Sequence, residues 1–237
     1  MKPVVRLHLY FAADNDQAVI LRQGPSKQFR MISWDRSDDT FQDGQWLKHS
    51  VYPERCDLSP DGRHFIYFAL NGDWSGPSEG AYTAISHTPY FTAVALFPEG
   101  NTWGGGGRFL DNTLFWAGGG KDIINRAKGL VRLTRSHPTA DCESGLRAPD
   151  GKCAKIGKAK AGRLLDADRH VPAELSHYDT QGGCLYRRSG GEMTLIRDFT
   201  DMTFEPVRAP YDWRDEISSA PDVEDLRPWH PLDGEQF

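Results

Sequence analysis

The stretch that decides the fold is Cys56-Asp57-Leu58-Ser59-Pro60-Asp61-Gly62-Arg63-His64-Phe65-Ile66-Tyr67-Phe68-Ala69-Leu70. It reads as one β-hairpin. Pro60 presets one backbone angle, the Asp61 side chain can bond its own main chain, and Gly62 accepts positive φ, so these three residues make a turn. Beyond the turn, His64, Ile66, Phe68 and Leu70 fall on one side of a strand and Phe65, Tyr67 and Ala69 on the other. Apolar groups on both faces require cover from two layers, as in a large sandwich or where small sheets stack around an axis.

Working outward, Val4 to Ala12, a turn at Asp14-Asn15-Asp16, and Ala18 to Arg22 form an expected first hairpin, followed by strands at Gln28 to Trp34 and Phe41 to Leu47. After Leu70 come a loop carrying Trp74, apolar strands at Ala81 to His87 and Phe91 to Phe97, and Trp103 followed by Gly104 to Gly107. Asp111-Asn112 reads as a second hairpin turn, and His177 to Arg197 as strand, turn, strand, turn, strand. Turns about every ten residues, with no segment of clear 3.6 period, point to an all-β domain of antiparallel hairpins.

The run Leu58-Ser59-Pro60-Asp61-Gly62-Arg63 before an apolar strand resembles the inner hairpin of a propeller blade of the TolB or WD40-like kind. The resemblance covers about a dozen residues and implies an architecture, not an activity. It implies a propeller-like stack of about four or five small or incomplete blades. No dipeptide recurs at fixed phase, so a β-sandwich or irregular barrel stands as the alternative. The expected organisation is a single β domain over 1–208, interrupted by a basic insertion at 121–163, with a Pro-rich acidic tail over 209–237 anchored by its aromatics.

Within the insertion, Lys121 to Lys128 is the best helix candidate, with Ile123, Ile124 and Ala127 as its apolar side and Gly129 as its end. Leu130 to Arg135 alternates like a half-exposed strand. Ser136 to Ala161 offers almost nothing to bury and reads as a long surface loop.

The formal charge of −5 hides a division: residues 121–163 hold 11 Lys and Arg against 4 Asp and Glu, between acidic flanks. No apolar run reaches the length of a membrane span, and the start lacks a signal-peptide core, so a cytoplasmic protein with no membrane association is expected. Four cysteines in 237 residues are too few and too scattered for a disulfide framework.

Chemical motifs are weak. Gly118-Gly119-Gly120-Lys121 lacks the first Gly and the Ser or Thr of a phosphate-binding loop and reads as a tight turn. Gly104 to Gly107 reads as a flexible or closely packed loop. Asp166, Asp168, His170, Glu174, His177 and Asp179 crowd oxygen and imidazole ligands into 14 residues and are the candidate metal set, although their spacing matches no motif. Cys142 and Cys153, with His137, lack the close pair that nucleates a zinc site. Glu54, Asp57, Asp73 and Asp111 could supply paired carboxylates. No cofactor is expected.

Binding rather than catalysis is the expected function: a protein-interaction module such as an adaptor, inhibitor or immunity-type partner in a bacterial complex. Trp74 and Trp103, in Gly-rich loops, are its candidate anchors. One alternative is a β-scaffold hydrolase acting on a sugar, ester or phosphate. A second is nucleic-acid or other polyanion binding through Lys152, Lys155, Lys158, Lys160 and Arg163, with Arg126, Lys128, Arg132, Arg135 and Arg147 as further phosphate contacts. That span has no aromatic residue on which bases could stack.

Overall fold

A computed structural model describes residues 4–25, 27–154, 173–214 and 229–233. Among these the chain is all-β, with two 3-10 turns at Pro53–Arg55 and Ala173–His177. The first sheet is an antiparallel meander of β1 (Arg6–Phe11), β2 (Gln17–Gln23), β3 (Phe29–Asp35) and β4 (Thr40–Leu47). The second contains β5 (Ser50–Val51), β6 (Asp57–Leu58), β7 (His64–Leu70), β8 (Ala81–His87) and β9 (Ala93–Pro98). β5 and β6 lie end to end along one edge of β7, opposite Leu70 and Ile66 respectively. The third comprises β10 (Gly107–Phe109), β11 (Leu114–Ala117), β12 (Val131–Arg135) and β13 (Leu146–Arg147), and the fourth β14 (Tyr178–Gln181), β15 (Cys184–Ser189) and β16 (Glu192–Asp198). No helix among the described residues is long and apolar enough to cross a membrane.

The Ser59 to Arg63 turn joins β6 to β7 as the sequence demands, and Phe65 to Ala69 are all fully buried. Phe65, Tyr67 and Ala69 meet Val19, Leu21, Phe29 and Met31 of the first sheet, while Ile66 meets Phe109, Phe115 and Ala117 of the third. The first sheet is covered twice in the same way. Its Ala18, Ile20, Ile32 and Trp34 turn away from the second sheet and pack on Leu185 and Phe199 of the fourth. Stacking order is therefore fourth, first, second, third, with the last sheet in sequence lying on the first.

Two expectations change. Residues 121–128 are not helical but run irregularly beside β9, with the amides of Gly120, Ile123 and Arg126 donating to the carbonyls of Pro98, Leu96 and Val94. A helix would gather Ile123, Ile124 and Ala127 on one side. Instead both isoleucines pack into the core between the first and second sheets, and Ala127 into that between the second and third. This path carries the chain back to its starting edge, so β12 joins β11 in parallel, an exception to the expected antiparallel pairing.

The second change concerns residues 136–154, expected as a bare surface loop. Cys142 and Cys153 form a disulfide, so they offer no thiolates to zinc, and Leu146 is fully buried with Leu110 and Leu133 on the outer side of the third sheet. Near the C-terminus, Trp213 and Leu232 are buried in the central core. The Trp213 indole donates to Ala93 O at 2.9 Å, and His230 Nε2 accepts from Ala93 N at 2.8 Å, so both hold the start of β9.

Candidate functional site

The register fixes which loops share an end. Leu70 pairs with Ala81 and Tyr82 with Pro98, so the 71–80 and 99–106 loops leave the same end of the second sheet. These are the loops that carry Trp74 and Trp103. Trp103 is 88% exposed and Trp74 54%, the two aromatic side chains among the exposed large apolar groups of the described residues.

Both loops are braced by short polar side chains. Asn101 Oδ1 accepts from the amides of Trp103 at 2.8 Å and Gly104 at 3.0 Å. The Arg55 guanidinium donates to Thr102 O at 2.7 Å and lies over Phe68. The glycine run is a packing device: a Cβ on Gly105 would sit 1.9 Å from the Phe68 ring, and Gly106, at φ +102°, lies against the Arg55 backbone. In the other loop, Asp73 Oδ1 accepts from the amides of Ser75 and Gly76, while Asn71 bonds the buried Ser78 at 2.7 Å. One face of the Trp74 ring covers Gly80. Each indole thus stands on a backbone that its own loop holds, which lowers the ordering entropy a partner would have to supply.

Behind the loops, Glu99 is half-buried, and burial pushes its carboxyl above the usual range against its bond to the Thr83 hydroxyl and the nearby Arg132 and Arg55. His49, beside β5, shares a 2.7 Å hydrogen bond between its Nδ1 and the Tyr82 hydroxyl, and stacks on Trp229. Burial lowers its pKa to about 4.

The opposite end of the sheet holds a group that sequence motifs did not reveal. His64 and His87, the first residue of β7 and the last of β8, face each other with ring centroids 4.7 Å apart. Burial and the neighbouring His87 lower His64 to about 4, and burial lowers His87. Tyr211 packs on His87, its hydroxyl accepting from the His87 amide at 3.0 Å and donating to Thr92 O at 2.8 Å. Equal strand lengths around the 71–80 loop would have predicted this pairing.

Lys155, Lys158, Lys160, Arg163, Asp166, Asp168 and His170 lie outside the described residues. Of the remaining metal candidates, Asp179 pairs with Arg188, and among the described residues no three His, Cys, Asp or Glu side chains are arranged to hold a metal. Of the basic residues described, Lys152 pairs with Asp150, Arg147 with Asp141, and Arg126 lies over Trp213. Three of the four carboxylates considered for catalysis cap backbone: Asp57 accepts from Phe109 N, Asp73 caps its loop, and Asp111 accepts from the amides of Thr113 and Leu114. No family model, curated protein or solved structure matches this chain.

Proposed function

We propose that this protein is a non-enzymatic binding module in which stacked sheets hold Trp74 and Trp103 out as anchors for a protein partner. The single observation that carries the reading is the exposure of both indoles on loops that are braced and leave one sheet end together. Solvating a large aromatic surface on an ordered backbone is unfavourable in isolation, and interface anchors are enriched in tryptophan. We read the four sheets as small propeller-like blades, because they stack face to face and the last in sequence covers the first. The Cys142–Cys153 bond favours an oxidising compartment over the cytoplasm expected from the sequence.

The test is affinity capture from native lysate with wild type, Trp74→Ala/Trp103→Ala and His64→Gln. The reading expects a protein retained by wild type and His64→Gln and reduced at least about tenfold by the double tryptophan variant. Equal retention by all three would refute it.

A further inference from the structure

A cleft of about 500 Å³ opens between β9 and residues 120–132. Its floor is apolar, with the half-buried Ala127 and Leu130 over the buried Phe97 and Phe115, and its rim carries Lys121, Lys128, Arg132 and Asp122. Pinning of 120–126 to the β9 backbone makes this cleft a preformed feature of the sheet edge.

The charges around it do not cancel. Asp122 Oδ1 is committed to the amides of Leu96, Ile124 and Asn125, at 2.9 to 3.0 Å. Arg132 donates only to neutral carbonyls, those of Ala117, Gly119 and Gly120, while lying 4.1 Å over the Phe97 ring. Glu99 and Asp122 reach Arg132 only at longer range. Lys121 and Lys128 are exposed and have no ion-pair partner among the described residues. Even with Glu99 counted, cations outnumber acids around the cleft by three to two.

We propose that this cleft binds a small amphipathic anion: one carboxylate, sulfonate or phosphate at the lysines, on an apolar body seated against Ala127 and Leu130. The volume suits a drug-sized organic acid, and few polar groups over an apolar floor is the usual make-up of such sites. A nucleic-acid backbone would gain nothing from the floor, and two free lysines at one cleft do not trace a strand of phosphates.

The probe is 8-anilinonaphthalene-1-sulfonate, titrated by calorimetry and fluorescence into the full chain at low salt, with its neutral analogue N-phenyl-1-naphthylamine alongside. One saturable sulfonate site is expected. Lys121→Glu/Lys128→Glu should weaken it about tenfold while leaving the neutral analogue unchanged, as fits the loss of two exposed charge contacts. Ala127→Trp, which fills the cleft, should abolish binding of both; if that variant fails to fold, the solvent-exposed lysine pair still decides. Unsaturable binding, equal sulfonate affinity in wild type and the lysine variant, or a thymine oligonucleotide held through these lysines with no sulfonate site would each overturn the proposal.

Discussion

The two ends of the second sheet are built on opposite plans. At the histidine end the turns of three successive sheets are tied to one another: Asp14 N donates to Pro60 O, Asp61 N to Asn112 Oδ1, and Asn112 Nδ2 to Asp14 Oδ2, all between 2.8 and 3.0 Å. Gly62 lies against Ala12 and Gln17. At the tryptophan end the 71–80 loop closes its hydrogen bonds within itself, through Asn71 and Asp73, while the 99–106 loop adds bonds to Arg55, Thr83 and Gly118. The first plan joins sheets into a body. The second, seen most purely in the 71–80 loop, orders a surface by bonds within the loop, which is what a contact surface requires.

A matched pair of glycines tests this contrast most severely. Gly62 at φ +77° has Gln17 Cβ 2.8 Å from where its own Cβ would stand, whereas Gly72 at φ +81° has open space. Gly62→Ala should lose about 3 kcal/mol in urea unfolding, strain plus steric contact, and Gly72→Ala about 1 kcal/mol from strain alone. Equal losses would break the comparison.

Acid should act on both ends. His64 and His49 stay neutral in the folded chain down to about pH 4, but take up a proton near 6.5 when unfolded. The unfolded state therefore binds more protons between those values, and stability falls as pH drops from about 6.5 to about 4. The loss should total about 2 kcal/mol, discounted because both rings are partly open to solvent. His64→Gln and His49→Gln should each flatten part of the pH profile of the unfolding midpoint.

Asn112→Ala removes the bond to Asp61 N and the bond to Asp14 together, and should lower stability by about 1 kcal/mol. Smallest of all, Trp103→Ala should change the unfolding free energy by less than about 0.5 kcal/mol, since the side chain touches little of the body. A larger loss would mean that the indole serves the fold.

The hairpin at Pro60-Asp61-Gly62 was legible because turn chemistry and two-faced apolar alternation are local, and so was the exposure of Trp74 and Trp103 among Gly, Pro, Asn and Asp. What escaped was non-local. Nothing within Lys121 to Lys128 reveals that its amides find β9 carbonyls, and that pairing defeats its helical spacing. The approach of Cys142 to Cys153 across a separation of 11 residues depends on β12 and β13, not on their spacing. The cleft rim was hidden for the same reason: Lys121 and Lys128 sat inside a general excess of charge, and only the structure separates them from Arg147 and Lys152, which have acidic partners.

The closing of the fourth sheet over the first bears on how the chain is made. Ile20, Ile32 and Trp34 leave the ribosome some 150 residues before their cover at Leu185 and Phe199. At about 5–20 residues per second that is roughly 8 to 30 seconds in which a large apolar face has no lid.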